Sequence, residues 1–165
     1  MAKPYKMNIG IIGQGFVGNA VYQKFKLFFD VYTFDIKNSL SNSNFDEICE
    51  KCEIVFVCVP TPMNVDGTCD TSVVKKILSD LNKISKTIVV NKSTVPPGTT
   101  EKFNMLFKNL KILFNPEFLT ERNAVDDFNN QNRIILGGPV EATTLLKQIY
   151  SKVFPNAYVI KTGST

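Results

Sequence analysis

Seven short apolar runs recur along the chain, at 8–12, 31–34, 54–59, 87–91, 111–114, 133–136 and 158–160, and most are continuous rather than alternating. Strands buried on both faces read this way, so the pattern predicts parallel strands covered by helices on each side. Between them lie segments with helical spacing: 17–28, 45–52, 71–84, 99–108, 121–128 and 140–154. Alternation of strand and helix implies right-handed crossovers and an open, doubly wound parallel sheet of the α/β class. No internal repeat, long linker or low-complexity tract interrupts it, and the Ser/Asn cluster at 38–44 reads as a surface loop. A single domain over residues 1–165 is expected, with the last strand completing it.

The first strand-to-helix junction carries the clearest chemistry. Gly13, Gln14, Gly15, Phe16, Val17 and Gly18 follow the first strand in the spacing G-x-G-x-x-G. The first glycine makes the tight turn, the second lets a pyrophosphate approach the backbone, and the third lets helix and sheet pack closely. Phosphates then meet a helix N-terminus, whose free N–H groups and positive dipole end favour an anion. Asp35 closes the second apolar run, 20 residues after Gly15, where a carboxylate reaches the adenine-ribose hydroxyls. Strand, glycine turn, helix, strand and acid in one unit predict a Rossmann domain holding a dinucleotide. NAD is expected over NADP, because Asp35 repels a 2′-phosphate, although Lys37 stands close in sequence.

Composition narrows the field. With 44% hydrophobic and 21% charged residues and a net charge of +4, the chain reads as an ordinary globular domain. Its basic residues are scattered, with no aromatic-interleaved stripe, which argues against nucleic acid. No apolar stretch approaches the roughly 20 residues that cross a bilayer, so no membrane association and a cytoplasmic location are expected. The chain has no histidine, so proton transfer falls to carboxylates, lysine, hydroxyls or water. Cys49 and Cys52 stand in C-x-x-C spacing, but without a second pair or a histidine they read as reduced thiols, and no metal is expected. Cys58 reads as core.

In a parallel sheet ligands gather beyond the carboxyl ends of the strands. After the third strand, Val59, Pro60, Thr61 and Pro62 form a stiff segment, either a rigid loop or a wall of the cofactor site. After the fourth, Lys92, Ser93 and Thr94 precede Val95 and a proline pair; one hydroxyl could be a cap, but the three together suggest function. After the fifth, Glu117 and Glu121 are four apart. On a helical turn they would share a face near the expected switch point, and mutual repulsion would raise at least one pKa. Asp126 and Asp127 read as solvated acids.

These segments, GQGFVG, Asp35, VPTP, KSTVPPGT, NPEFLTE and RIILGG, resemble the UDP-glucose/GDP-mannose dehydrogenase family along essentially the whole chain, specifically its N-terminal NAD-binding domain. The resemblance implies oxidation of a sugar C6 alcohol to a carboxylate in two NAD-dependent steps, through a cysteine thiohemiacetal and thioester, with UDP-glucose the leading nucleotide-sugar substrate. Carried over by position, Gly13 to Gly18 cradle the pyrophosphate, Asp35 holds the ribose, and Val59, Thr61 and Pro62 line the cofactor. Ser93, Thr94 and Val95 lie on the nicotinamide side, with Thr94 holding the reacting hydroxyl or water. Glu117 is the acid/base of thioester hydrolysis, Phe118, Leu119 and Thr120 contact substrate, and Glu121 lies between substrate and cofactor.

Leu40, Met63 and Arg122 depart from the family, which often has arginine, threonine and glycine there. The family's nucleophilic cysteine, its central helix and its C-terminal UDP-sugar domain have no counterpart here, and none of the four cysteines sits in a matching motif. The chain is therefore expected to be inactive alone, unless a partner chain supplies the rest. The alternative is a free-standing, non-catalytic dinucleotide-binding or regulatory module.

Overall fold

Apolar residues on both faces of the strands decide where the helices lie. The computed structural model describes residues 2–163; Met1, Ser164 and Thr165 of the expected domain lie outside the described residues. The elements alternate as β1 (Asn8–Ile12), α1 (Phe16–Phe25), β2 (Asp30–Phe34), α2 (Phe45–Lys51), β3 (Ile54–Val57), α3 (Ser72–Ile84), β4 (Ile88–Asn91), α4 (Thr99–Leu106), β5 (Lys111–Phe114), α5 (Ala124–Asn129), β6 (Arg133–Gly137), α6 (Val140–Val153) and β7 (Tyr158–Thr162). They build a seven-stranded sheet in the order β2-β1-β3-β4-β5-β6-β7.

In β3, Ile54 and Phe56 face one core and Val55 and Val57 the other, and all four are fully buried. The first core joins α1, α5 and α6 around an aromatic nest of Phe25, Phe29, Phe56, Phe128, Tyr150 and Phe154. Each such ring contributes roughly 1.5–3 kcal/mol by leaving water. The second core sets Ile48, Val74, Leu78, Leu81 and Phe103 of α2, α3 and α4 against the opposite face. The sheet is thus doubly wound, as the continuous apolar runs predict.

The order reverses at β1, which pairs with β2 on one side and β3 on the other, both in parallel. A crevice therefore opens between the carboxyl ends of β1 and β3. At one junction the sheet is not parallel. β6 meets β5 antiparallel through the pair Phe114–Gly137, and Gly138 (φ 144°) lies so close that a Cβ would sit 3.0 Å from the Leu113 backbone. The short α5 between them lies against α1 and does not carry the chain back to the amino edge, as a parallel crossover requires.

The polar 38–44 cluster does more than connect. The Asn42 amide accepts from Thr33 N at 2.7 Å and donates to the Val31 carbonyl at 2.9 Å, while Ser41 Oγ accepts from Asp35 N. These bonds cover the outer edge of β2, whose backbone would otherwise be free to pair with another chain.

Cys49, Cys52 and Cys58 are buried. Burial pushes Cys49 up to about 11 and Cys52 and Cys58 up to about 12. Their thiolate fractions at pH 8.5 are accordingly about a hundredfold or more below that of a free thiol. Iodoacetamide at that pH should modify the partly exposed Cys69 first and spare the other three until the protein unfolds, read by intact and peptide mass; early labelling of Cys58 would contradict the packing. The sign follows for stability. A thiol raised in the folded state stabilises below its unfolded value near 9, and that contribution is lost as pH climbs through 11–12.

Candidate functional site

The fingerprint turn is built by two close approaches and one opening. Gly13 has φ 95°, and a Cβ there would lie 2.3 Å from the Cys58 carbonyl oxygen, so this glycine lets β1 and β3 converge at the crevice. A Cβ on Gly18 would lie 1.9 Å from the Gly13 carbonyl oxygen, so it lets α1 pack against the turn. Around Gly15 a Cβ would meet nothing within 4 Å. Gly15 is the N-cap of α1, no side chain caps it, and no acid lies in the first turn. Phe16 and Val17 continue into the helix, and Phe16 is exposed at its mouth. Uncapped amides beside open space are what a pyrophosphate requires.

Asp35 stands across this turn. Its carboxylate accepts from Gln14 N at 2.7 Å and from Lys37 N at 2.8 Å, which fixes it at the end of β2 with lone pairs left for a further donor. The wall after β3 is set from β4: Ser93 Oγ accepts from Val59 N at 3.0 Å and donates to the Val59 carbonyl at 2.7 Å. Ser93 is buried, so its hydroxyl acts on Val59 and the backbone, whereas Thr94 is exposed at the edge. Thr61 and Pro62 lead into a hairpin closed by Asp70 N on the Pro62 carbonyl at 2.8 Å and by a bridge between Met63 and Cys69.

The segment after β5 corrects the sequence reading. Residues 115–120 belong to neither helix nor strand, a 3₁₀ turn spans Glu121–Asn123, and α5 begins only at Ala124. Glu117 and Glu121 therefore share no helical face, and Glu117 lies beyond β5 rather than at the β1/β3 crevice. Its carboxylate forms a buried ion pair with Lys92, so a cation and not a second acid faces it. Burial pushes the Lys92 ammonium down to about 7, with Cys58 opposing that shift. Glu121 instead lines a hollow with Phe16, Asn19 and Arg122, where α5 abuts α1.

Asp127 is not merely solvated. One oxygen accepts from Thr120 N at 2.8 Å and Thr120 Oγ1 at 2.6 Å, and the hydroxyl bond above all holds its carboxyl below the usual range. Phe118 is exposed with the Arg133 guanidinium 5.8 Å from its ring, and Leu119 packs on the first core. Val95 lines a separate, mostly apolar hollow with Pro96, Pro97, Phe114 and Pro116. Two further residues enter through tertiary contact alone: Asn115 and Tyr150, joined to Lys92 beneath Glu117. The only sequence signal for Asn115 is its place in the NPEFLTE segment, and Tyr150 gives none beyond helical spacing. Among the described residues no cluster of three or more metal-ligating side chains occurs, and no helix is long and apolar enough to cross a membrane.

Known proteins share both the sequence and the fold. The UDP-glucose/GDP-mannose dehydrogenase family, NAD binding domain, matches residues 30–154. A UDP-glucose 6-dehydrogenase of Pseudomonas aeruginosa is 37% identical over 63% of this chain and 26% of its own length. An uncharacterized protein, MJ1054, of Methanocaldococcus jannaschii is 34% identical over 79% of this chain and 18% of its own. A UDP-glucose dehydrogenase structure from Pyrobaculum islandicum superposes with a TM-score of 0.85 at 24% identity, covering 98% of this chain and 47% of that one. The chain thus spans about half, or less, of the relatives it matches. It belongs to the UDP-glucose/GDP-mannose dehydrogenase family, as the NAD-binding domain.

Proposed function

We propose that this chain is the cofactor-holding half of a nucleotide-sugar 6-dehydrogenase, acting on a UDP-hexose of the UDP-glucose type. The observation that carries the reading is the open space at Gly15, next to an uncapped helix start, between two glycines whose own space the protein fills. That cradle fits the pyrophosphate of NAD, and Asp35 fits its adenosine ribose. Bound NAD supplies the hydride acceptor for each oxidation.

The chain's own residues do the positioning. Val59, Thr61 and Pro62 wall the cofactor, with Val59 fixed by Ser93. Thr94 and Val95 border the nicotinamide side, and the exposed Thr94 hydroxyl orients the reacting hydroxyl or water. Glu117 takes up the proton of the water that hydrolyses the thioester, while Phe118, Leu119, Thr120 and Glu121 border the substrate. The nucleophilic thiol of such chemistry is not among the four cysteines, of which Cys49, Cys52 and Cys58 are buried. A further domain or a partner chain supplies it in this reading.

Calorimetry tests the proposal. NAD should bind, and NADP at least about tenfold more weakly because its 2′-phosphate meets the Asp35 carboxylate; Asp35→Ser should narrow the gap. A folded chain that takes up no NAD would overturn the proposal. Rapid UDP-glucose oxidation by the isolated chain, abolished in Glu117→Gln, would overturn its half-site part.

A further inference from the structure

Beneath the carboxyl edge lies a buried polar chain of four side chains from separate parts of the fold. Lys92 follows β4, Asn115 and Glu117 follow β5, and Tyr150 is in α6. The Lys92 side chain is 1% exposed and that of Glu117 11%. Lys92 Nζ has two polar partners, Asn115 Oδ1 at 2.8 Å and Glu117 Oε1, and lies over the Phe128 ring with the centroid 5.6 Å away.

Asn115 fixes the direction of the whole chain. Its Oδ1 accepts from both Lys92 Nζ and, at 2.6 Å, Tyr150 OH, and its Nδ2 donates to the Ile135 carbonyl at 2.9 Å. Turning the amide over would set its NH₂ against the ammonium, so only one orientation satisfies every partner. The titratable groups around Lys92 are Cys58, just after β3, Glu117, and Tyr150 of α6, which reaches it through Asn115. Burial pushes the Cys58 thiol up to about 12 and the Tyr150 phenol well up, which keeps both neutral. Glu117 is then the anion that answers the Lys92 charge.

We propose that Lys92 is the positioning residue for Glu117: locked from behind by Asn115 and Tyr150, it clamps the carboxylate at the sheet edge in its ionised form. Glu117 therefore rests as a base, ready to accept a proton from a hydroxyl or water, and not as an acid. The proposal rests on the reading of Glu117 as the acid/base of the site.

Carboxyl ¹³C and ammonium ¹⁵N NMR on the full chain test it, with Glu117 assigned by its loss in Glu117→Gln. In the unmutated chain the Glu117 carboxyl should titrate below the midpoint of a free glutamate, and the Lys92 resonance should shift at that same pH as its partner loses charge. Lys92→Met should raise the Glu117 midpoint by about 1–3 pH units, the range for losing a facing charge. Lys92→Arg should restore most of it, and Tyr150→Phe should shift it less, in the same direction. A Glu117 midpoint at or above that of a free glutamate in the unmutated chain would overturn the proposal even if Lys92→Met fails to fold. So would an unmoved Glu117 midpoint in a folded Lys92→Met. An NAD titration of the unmutated sample separates the two claims: failure there removes the dehydrogenase reading, while the Glu117 midpoint still reports the clamp.

Discussion

Gly15→Ala should leave the fold intact and weaken NAD binding by about 10–100-fold, while Gly18→Ala should damage the fold itself. The two glycines stand three residues apart in one motif, yet they meet opposite surroundings. A methyl on Gly15 touches no protein atom within 4 Å, and φ there is −67°, which alanine adopts freely. Its stability cost should stay within about 1 kcal/mol, the range for exchanging residues at a helix N-cap. The methyl would occupy the space a pyrophosphate needs, and losing hydrogen bonds to a charged group costs roughly 1.5–3 kcal/mol, or about 10–100-fold in affinity.

On Gly18 the same methyl would lie 1.9 Å from a backbone carbonyl oxygen, so β1 and α1 must separate. Overpacking of this kind costs about 3 kcal/mol or more when backbone has to move. For a domain of this size that lowers the melting temperature by roughly 6–12 °C. Circular-dichroism melts and NAD calorimetry on both variants read the two effects separately. Equal melting losses in the two would show that Gly15 is structural, and would remove the main support for a cofactor cradle there.

How much of this was legible in sequence depends on the range of the interaction. β1 and β5 begin and end where their apolar runs do, and the G-x-G-x-x-G turn is local, so its geometry follows from neighbouring residues. The 115–121 segment misled for the opposite reason. Glu117 and Glu121 stand at helical spacing, but Glu117 is drawn to Lys92, 25 positions earlier, and Asn115 to Tyr150, 35 positions later. A buried ion pair and a satisfied amide outweigh the small helix preference of a five-residue stretch. Asp127 was misjudged likewise, because its partner Thr120 lies across the 3₁₀ turn. The antiparallel meeting of β5 and β6 had no pattern to betray it, since a strand buried on both faces looks the same in either direction.

Asn115→Ala should be among the most destabilising single substitutions near the site, at about 3–5 kcal/mol. Asn115 is 3% exposed, and its side chain makes three hydrogen bonds, two of them to the buried Lys92 and Tyr150. Alanine keeps the backbone bond from Asn115 N to the Asn91 carbonyl but strips an acceptor from the Lys92 ammonium and the Tyr150 hydroxyl, and a donor from the Ile135 carbonyl. An orphaned buried polar group costs about 1–3 kcal/mol, and more when it is charged. Tyr150→Phe removes only one donor and leaves Asn115 its bond to Lys92, so it should cost about 1–2 kcal/mol. Urea unfolding of the two variants should therefore rank Asn115→Ala well below Tyr150→Phe, with similar m-values if both unfold in two states. An Asn115→Ala variant within about 1 kcal/mol of the unmutated chain would mean that Lys92 and Tyr150 find other partners or water on their own. The amide would then not hold Lys92 in place, and the geometry beneath Glu117 would be a consequence of packing rather than of this hydrogen-bond chain.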